Sequence, residues 1–351
     1  MTTCCSFGAH LALSAPLVQR DQREAGLRKT SVGRRTKPSG RALVVTPSAN
    51  KDFAGEVGSL KLAAGQTPAE RYIATNRFKV KKGAEAKFEK RWAERKSRLA
   101  ELDGFQFFTI MRRVTLEGED LDPAEFNYTS YTVWDNKENF TKWRTGEAFK
   151  EAHGGGTLFG FVAMLVSSTF TLEGTPKPAF YEGILPLSVP QSDAPEVEGG
   201  WRNVKADGVN CIEPDCFVAM NRFKIAKGQE AAFEQRWANR ESSLKELPGF
   251  VNFHMLRRDA DKAEDGYNFV SATVWKDRAS FDSWRASQSF KKAHGQVSKP
   301  AEGKGGEGEK PAGPLGGAMG MMLEPPSPAF FEGKLMLAVD SIKAPRAKAV
   351  L

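Results

Sequence analysis

The chain has 351 residues, 40% hydrophobic and 27% charged, with 51 Lys and Arg against 43 Asp and Glu for a formal net charge of +8. That length exceeds one small domain and its apolar content suffices for a core, so two folded units plus tails are expected. No apolar stretch approaches the roughly 18 residues of a membrane-spanning helix, the longest being Phe159 to Val166, which contains a Gly.

The charge is concentrated at the front. Residues 1–42 hold eight basic and two acidic residues, a local +6, and the other 43 basic and 41 acidic residues leave +2. A nucleic-acid partner therefore has no basic patch to bind, and no aromatic residues interleave with the leading arginines. The leader is acid-poor and Arg-rich, with scattered Ser and Thr, in the manner of an organellar transit peptide. Its uncharged start predicts the chloroplast stroma, with the mitochondrion as the alternative. Residues 1–45 are read as this address and 46–69 as a flexible segment.

From there the chain repeats itself. TNRFKVKKGAEAKFEKRWAER at residues 75–95 matches MNRFKIAKGQEAAFEQRWANR at 220–240, an offset of 145. YTVWDNKENFTKWRTGEAFKEAHG at 131–154 matches ATVWKDRASFDSWRASQSFKKAHG at 272–295, now at an offset of 141. PKPAFYEGILPL against PSPAFFEGKLML closes each copy. The reading is a first module at 70–190, a linker at 191–214, a second module at 215–342 with a mobile Lys/Gly/Pro-rich loop at 295–317, and a tail at 343–351.

Within each module, Tyr72, Ala74, Asn76, Phe78 and Val80, or Phe217, Ala219, Asn221, Phe223 and Ile225, alternate along one strand face. A Lys-Gly turn leads into a helix on which Phe88, Trp92 and Leu99, or Phe233, Trp237 and Leu244, form one apolar stripe. That helix is predicted to stop before Asp103-Gly104 or Pro248-Gly249. Two strands follow, then short helices carrying FTKW and EAFKEAH or FDSW and QSFKKAH, then a last strand. Strand, helix, strand, strand, helix, strand is a ferredoxin-like α+β module, and two such sheets pairing face to face predict an intramolecular pseudo-dimer with a barrel-like centre.

The rare residues fall in register. Beyond the leader there are three histidines, and His153 and His294 are repeat partners, each four residues after a Phe and followed by Gly. Helix capping explains that pattern at least as well as metal ligation. His254 is matched by Thr109 and is read as incidental. Six of the seven tryptophans form the pairs Trp92 with Trp237, Trp134 with Trp275, and Trp143 with Trp284, the last pair standing ten residues before the shared His. Asn76 and Asn221 each interrupt an apolar strand face, where an unpaired amide costs about 1 to 3 kcal/mol, so a structural hydrogen bond or a polar ligand is expected. Cys211 and Cys216 fit neither a zinc nor a thioredoxin spacing and read as ordinary thiols. No phosphate-binding glycine loop, nucleophile elbow or HExxH helix is present in the sequence.

On these residues, the NRFKV/NRFKI opening, the TVW strand end and the FxxW-x9-H run, both modules resemble the antibiotic biosynthesis monooxygenase (ABM) superfamily. Within it they resemble the IsdG-type haem-degrading enzymes, in a plastid-targeted, plant- or algal-like form. The resemblance implies a dimeric α+β barrel. It implies His153 and His294 as haem-iron ligands, Trp143 and Trp284 against the macrocycle, and Asn76 and Asn221 near bound O2. Haem would be both substrate and cofactor, opened with O2 and electrons from an external reductase or small reductant, with release of iron. The competing expectations are a haem carrier without turnover, a cofactor-free monooxygenase acting on a quinone-like aromatic, and a barrel without catalysis.

Overall fold

Ten strands and five α-helices are found in the computed structural model, which describes residues 65–118, 121–153, 169–191, 194–240, 242–260, 263–288, 290 and 319–339. The leader, His294, the loop at 295–317 and the tail lie outside the described residues. The first module runs β1 (Arg71–Phe78), α1 (Glu85–Ala93), β2 (Phe105–Val114), β3 (Tyr128–Trp134), α2 (Lys137–Thr145), α3 (Glu147–Ala152) and β4 (Lys177–Ser188). A hairpin of β5 (Val197–Glu198) and β6 (Trp201–Arg202) precedes the second module. That module runs β7 (Cys216–Phe223), α4 (Glu230–Ala238), β8 (Phe250–Arg258), β9 (Phe269–Trp275), α5 (Arg278–Ala286) and β10 (Ser327–Ala338). The element order is the one the repeat predicts.

Eight of the strands close one antiparallel barrel in the order β1-β3-β2-β10-β7-β9-β8-β4. Each module alone would be a four-stranded sheet with two unpaired edges, a costly and aggregation-prone state. Closure removes both edges, because β4 pairs with β1 of its own module and β8 of the other, and β10 pairs with β7 and with β2. Inward residues such as Ile73, Phe107, Met111, Tyr131, Val218, Leu256 and Val274 fill the barrel as one core. Outward residues form two further cores beneath the helices.

The last strands are exchanged between those outer cores. One residue is extra in β4 between Ile184 and Leu187, and one in β10 between Lys334 and Leu337. At each bulge a leucine takes a left-handed backbone, Leu185 at φ 53° and Leu335 at φ 57°, a conformation branched apolar residues rarely accept. The strain places side chains. Leu335, Leu337 and Val339 pack with Phe88, Leu99 and Phe108 of the first module, and Ile184, Leu185 and Leu187 pack with Phe233 and Phe253 of the second. The freed amide of Met336 donates to Asp215 Oδ2 at 2.9 Å, and the equivalent residue in β4 is Pro186, which has no amide to satisfy.

Two short arms cross in the same sense and fix helices α1 and α4. Glu234 on α4 is fully buried and accepts from the Thr67 amide at 2.6 Å and from Arg257 at 2.9 Å, while Arg257 also donates to the Thr67 carbonyl. Its repeat partner Glu89 on α1 accepts from Tyr128 Oη at 2.6 Å and from the amide of Ile212. Thr67 precedes β1 and Ile212 precedes β7 by equivalent steps, so each arm grips the other module's helix. The end of the segment expected to be flexible, residues 65–69, is thus pinned. The expected linker likewise carries structure, because Trp201 of β6 is buried and donates to the Trp92 carbonyl.

The first helix is shorter than the apolar stripe suggests. It ends at Ala93, and Leu99 sits instead on a separate 3-10 turn, Leu99–Glu101. Continuation fails because residues 94–98, Glu-Arg-Lys-Ser-Arg, offer no apolar side chain to bury, and Arg95 folds back over the Trp92 ring at 4.8 Å. The turns entering β2 and β8 do require glycine, since Gly104 and Gly249 have φ of 75° and 77° and a Cβ there would collide with Asn139 and Ser280 in the first turns of α2 and α5.

Replacing Leu335 by Ala is expected to cost about 2 to 5 kcal/mol, a large fraction of an ordinary domain's stability. Urea unfolding followed by tryptophan fluorescence and circular dichroism should give a single transition shifted to lower denaturant, because a core shared by both modules cannot melt in halves.

Candidate functional site

Helix α2 starts at Asn136, whose side chain accepts from the Asn139 amide at 2.9 Å, and its counterpart α5 starts at Asp277, which accepts from Ser280 at 2.7 Å. Both caps orient a helix that holds one Phe inward, Phe140 or Phe281, and presents the next Trp at its rim. Trp143 stacks on the fully buried Trp134 at 5.3 Å and meets the edge of Phe149 at 5.1 Å. Trp284 repeats this on Trp275 at 5.2 Å and Phe290 at 4.9 Å. The second tryptophan pair therefore belongs to the core, and the third forms a pocket wall.

His153 ends α3, where its ring stacks on Phe149 at 3.9 Å and its Nδ1 lies 2.7 Å from the Phe149 carbonyl. A carbonyl oxygen can only accept, so Nδ1 carries the hydrogen and Nε2 keeps a free lone pair. The capping role and the ligand role thus coincide in one residue. Burial pushes its pKa down to about 4, and the positive charge of Arg95 adds to this. The imidazole is neutral across the physiological range, as a metal ligand must be. Among the described residues no group of three or more His, Cys, Asp or Glu could hold a bare ion. A lone imidazole suits a metal whose other positions are already filled.

Sequence reading missed the cations. Arg91 stands in the last turn of α1 and Arg95 two residues past its end, and Arg236 and Arg240 hold the same places at the end of α4. The Arg95 guanidinium lies over Trp92 and within 5.7 Å of the Trp201 ring centre, and its Nε is sealed from solvent with no hydrogen-bond partner among the described residues. Arg240 lies over Trp237 at 4.9 Å with its Nε in the same state. The signal was present in the paired RWAER and RWANR segments of the repeat.

In the second module a cavity of about 290 Å3 gathers Asn221, Arg236, Trp237, Arg240, Trp284 and Phe290. Asn221 stands between Ser271 and Pro328 on neighbouring strands, and Asn76 holds the equivalent place between Ser130 and Pro178. Neither asparagine amide has a hydrogen-bond partner among the described residues, so the expected structural bond is not found. The first module joins Trp143, His153 and Arg95, and the second joins Asn221, Trp284 and Arg240; His294 lies outside the described residues. His254 is apart from both, buried on β8 opposite the β4 bulge, where desolvation pushes its pKa down to about 3. Cys211 and Cys216 are free thiols, the latter buried and pushed up to about 12.

The family described as antibiotic biosynthesis monooxygenase matches this chain twice, at residues 71–155 and 216–296. A "Heme oxygenase (staphylobilin-producing)" of Staphylococcus saprophyticus is 34% identical over 84 residues, covering 24% of this chain and 74% of the relative. The chain belongs to the antibiotic biosynthesis monooxygenase family, a family of monooxygenases built on ferredoxin-like modules. Among solved structures, a protein from Fusobacterium nucleatum assigned as a monooxygenase overlaps 77% of this chain and 95% of its own at 10% identity and a TM-score of 0.46. A heme-degrading enzyme from Listeria monocytogenes overlaps 62% and 82% at 10% identity and a TM-score of 0.26.

Because the unfolded chain protonates His153 near pH 6.5 and the folded chain only near 4, folding stability contributed at this site is lost as pH falls from about 6.5 to about 4. His254 contributes a loss of the same sign, so the measurement is the difference between wild type and His153→Phe in urea unfolding at pH 7 and pH 4.5. The variant is expected to lose less stability on acidification.

Proposed function

We propose that the chain binds haem and oxidatively opens it, using O2 and electrons from an external reductant and releasing iron. The observation that carries this reading is the neutral imidazole of His153, fixed by its own helix carbonyl with Nε2 free, beside the Trp143 indole and near Arg95, whose Nε has no hydrogen-bond partner among the described residues. That donor set fits a flat, doubly carboxylated macrocycle. Haem supplies the redox-active iron that activates O2 and is itself the molecule oxidised.

The residues divide the work. His153 would hold the iron through Nε2, and the stack of Phe149 on its ring keeps the imidazole from turning away. Arg95 and Arg91, with Arg240 and Arg236 in the other module, would receive the carboxylates, the guanidinium fork matching their geometry. Trp143 and Trp284 are braced from behind by Trp134 and Trp275, so each can press on a ring without yielding. Asn76 and Asn221 would offer an amide donor to oxygen as it gains negative charge. His294 would serve the second module as His153 serves the first. The acid-poor leader supports plastid import, which a fusion of residues 1–64 to a fluorescent protein tests by its location.

Haem titration followed at the Soret band is expected to saturate near two equivalents per chain, with one lost in His153→Ala and the other in His294→Ala. Arg95→Met should weaken the first site about tenfold or more through loss of a charge-assisted contact. Saturation at one haem, unaffected by either histidine variant, contradicts the assignment.

A further inference from the structure

A second kind of cavity lies inside the barrel itself, at the end where β1, β2, β7 and β8 finish and β4 and β10 begin. It measures about 290 Å3, and Arg77, Arg113, Arg222, Glu125, Asp265 and Tyr181 contribute to its lining. Arg77 and Arg222 are repeat partners, as are Arg113 and Arg258, so the charges approach from both modules about the repeat's twofold relation. The ion pairs are crossed. Glu125 of the first module takes Arg113 at 3.0 Å and Arg222 of the second at 2.8 Å. Asp265 of the second takes Arg258 at 3.6 Å and also Arg77 of the first.

Among the described residues, four guanidinium groups therefore face the two carboxylates Glu125 and Asp265. The nearby exposed Glu264 pairs with Lys177 at 2.9 Å and reaches Arg77 at 4.0 Å, and since Lys177 balances its charge the surplus remains. Each guanidinium is held on an aromatic ring: Arg77 on Phe126, Arg113 on Phe331, Arg222 on Tyr267 and Arg258 on Tyr181, at 4.8 to 5.3 Å. The Nε atoms of Arg77, Arg113 and Arg222 are buried and have no acceptor among the described residues. Burial and the neighbouring Arg222 hold Arg113 below the usual guanidinium range even with Glu125 beside it. Surplus positive charge in a partly desolvated space is costly unless an anion joins it.

We infer that this cavity binds one small carboxylate with an apolar body, at a site separate from the two haem sites. The carboxylate offsets the surplus guanidinium charge, for which the planar fork is suited. The remaining lining, including Leu256, Val270, Ala329 and Phe331, takes the apolar body. The volume lies at the small end of ligand pockets. This assignment stands independently of haem chemistry, since none of its arginines is shared with Arg91, Arg95, Arg236 or Arg240.

The test is isothermal titration calorimetry of the full chain, free of haem, with sodium benzoate at fixed ionic strength. One saturable site per chain is expected, with no comparable binding of the neutral isostere benzyl alcohol or of inorganic phosphate. Arg222→Met should weaken benzoate about tenfold or more. Val270→Phe, which fills the cavity without touching the ion pairs, should abolish binding with an unchanged circular dichroism spectrum, and the double variant Arg95→Met, Arg240→Met should bind as wild type. Absence of saturable binding up to about 10 mM, a Kd at which any built site would register, overturns the proposal. So does benzoate binding that persists in Val270→Phe, or that disappears with Arg95 and Arg240. Phosphate binding as tightly as benzoate overturns the apolar-body assignment.

Discussion

A four-stranded sheet carrying helices on one face has a bare apolar face and two unpaired edges, and this chain resolves both by joining each module's last strand to the other module. The pairings of β4 with β8 and β10 with β2 close the barrel and put the bare faces against each other. The left-handed leucines at 185 and 335 are the local cost, and they are placed where the strand leaves its own module and enters the other's outer core. Strain of this kind persists only where its surroundings over-determine it. Here the surroundings are the buried aromatic rings of α1 or α4 and the neighbouring strands.

The sites depend on that closure. Arg91 and Arg236 lie on helices α1 and α4 with Arg95 and Arg240 just past their ends, and each helix is tied through a buried glutamate to an arm from the opposite module. A movement of one module against the other would therefore be felt first at Arg95 and Arg240. The caps of α2 and α5 and the glycine turns beneath them position the tryptophan walls. The second module's pocket combines apolar surface, arginines and an asparagine amide without a hydrogen-bond partner among the described residues, a combination suited to an amphipathic anion. The same logic of surplus arginine recurs inside the barrel, where the two modules bring four guanidinium groups to one end.

The fold was legible because duplication tests every pattern twice. Alternation in TNRFKV and MNRFKI, the FxxxW spacing of α1 and α4 and the closing PAFYEG and PAFFEG segments gave the elements and their order. The rare residues gave Trp143, Trp284 and His153 as partners of one environment. The barrel-like centre was expected, but its closure by exchange of the last strands was not legible, since Leu185 and Leu335 look like ordinary strand leucines, and positive φ at a leucine has no sequence signal. The same holds for Arg95, whose burial depends on Trp92 and on Trp201 from the segment between the modules. A charged helix face reads as solvated until its tertiary neighbours are known. The tautomer of His153 was also out of reach, because it follows from a 2.7 Å contact to a backbone oxygen.

Haem turnover, and not haem binding alone, is the function proposed for this constellation. The direct measurement is incubation of the haem-loaded chain with ascorbate in air, following the Soret band together with ferrous iron trapped by a chromogenic chelator. The account predicts loss of the Soret band with iron appearing in step, and neither change in the double variant His153→Ala, His294→Ala. A Soret band that stays constant while haem remains bound and reductant is consumed would contradict it.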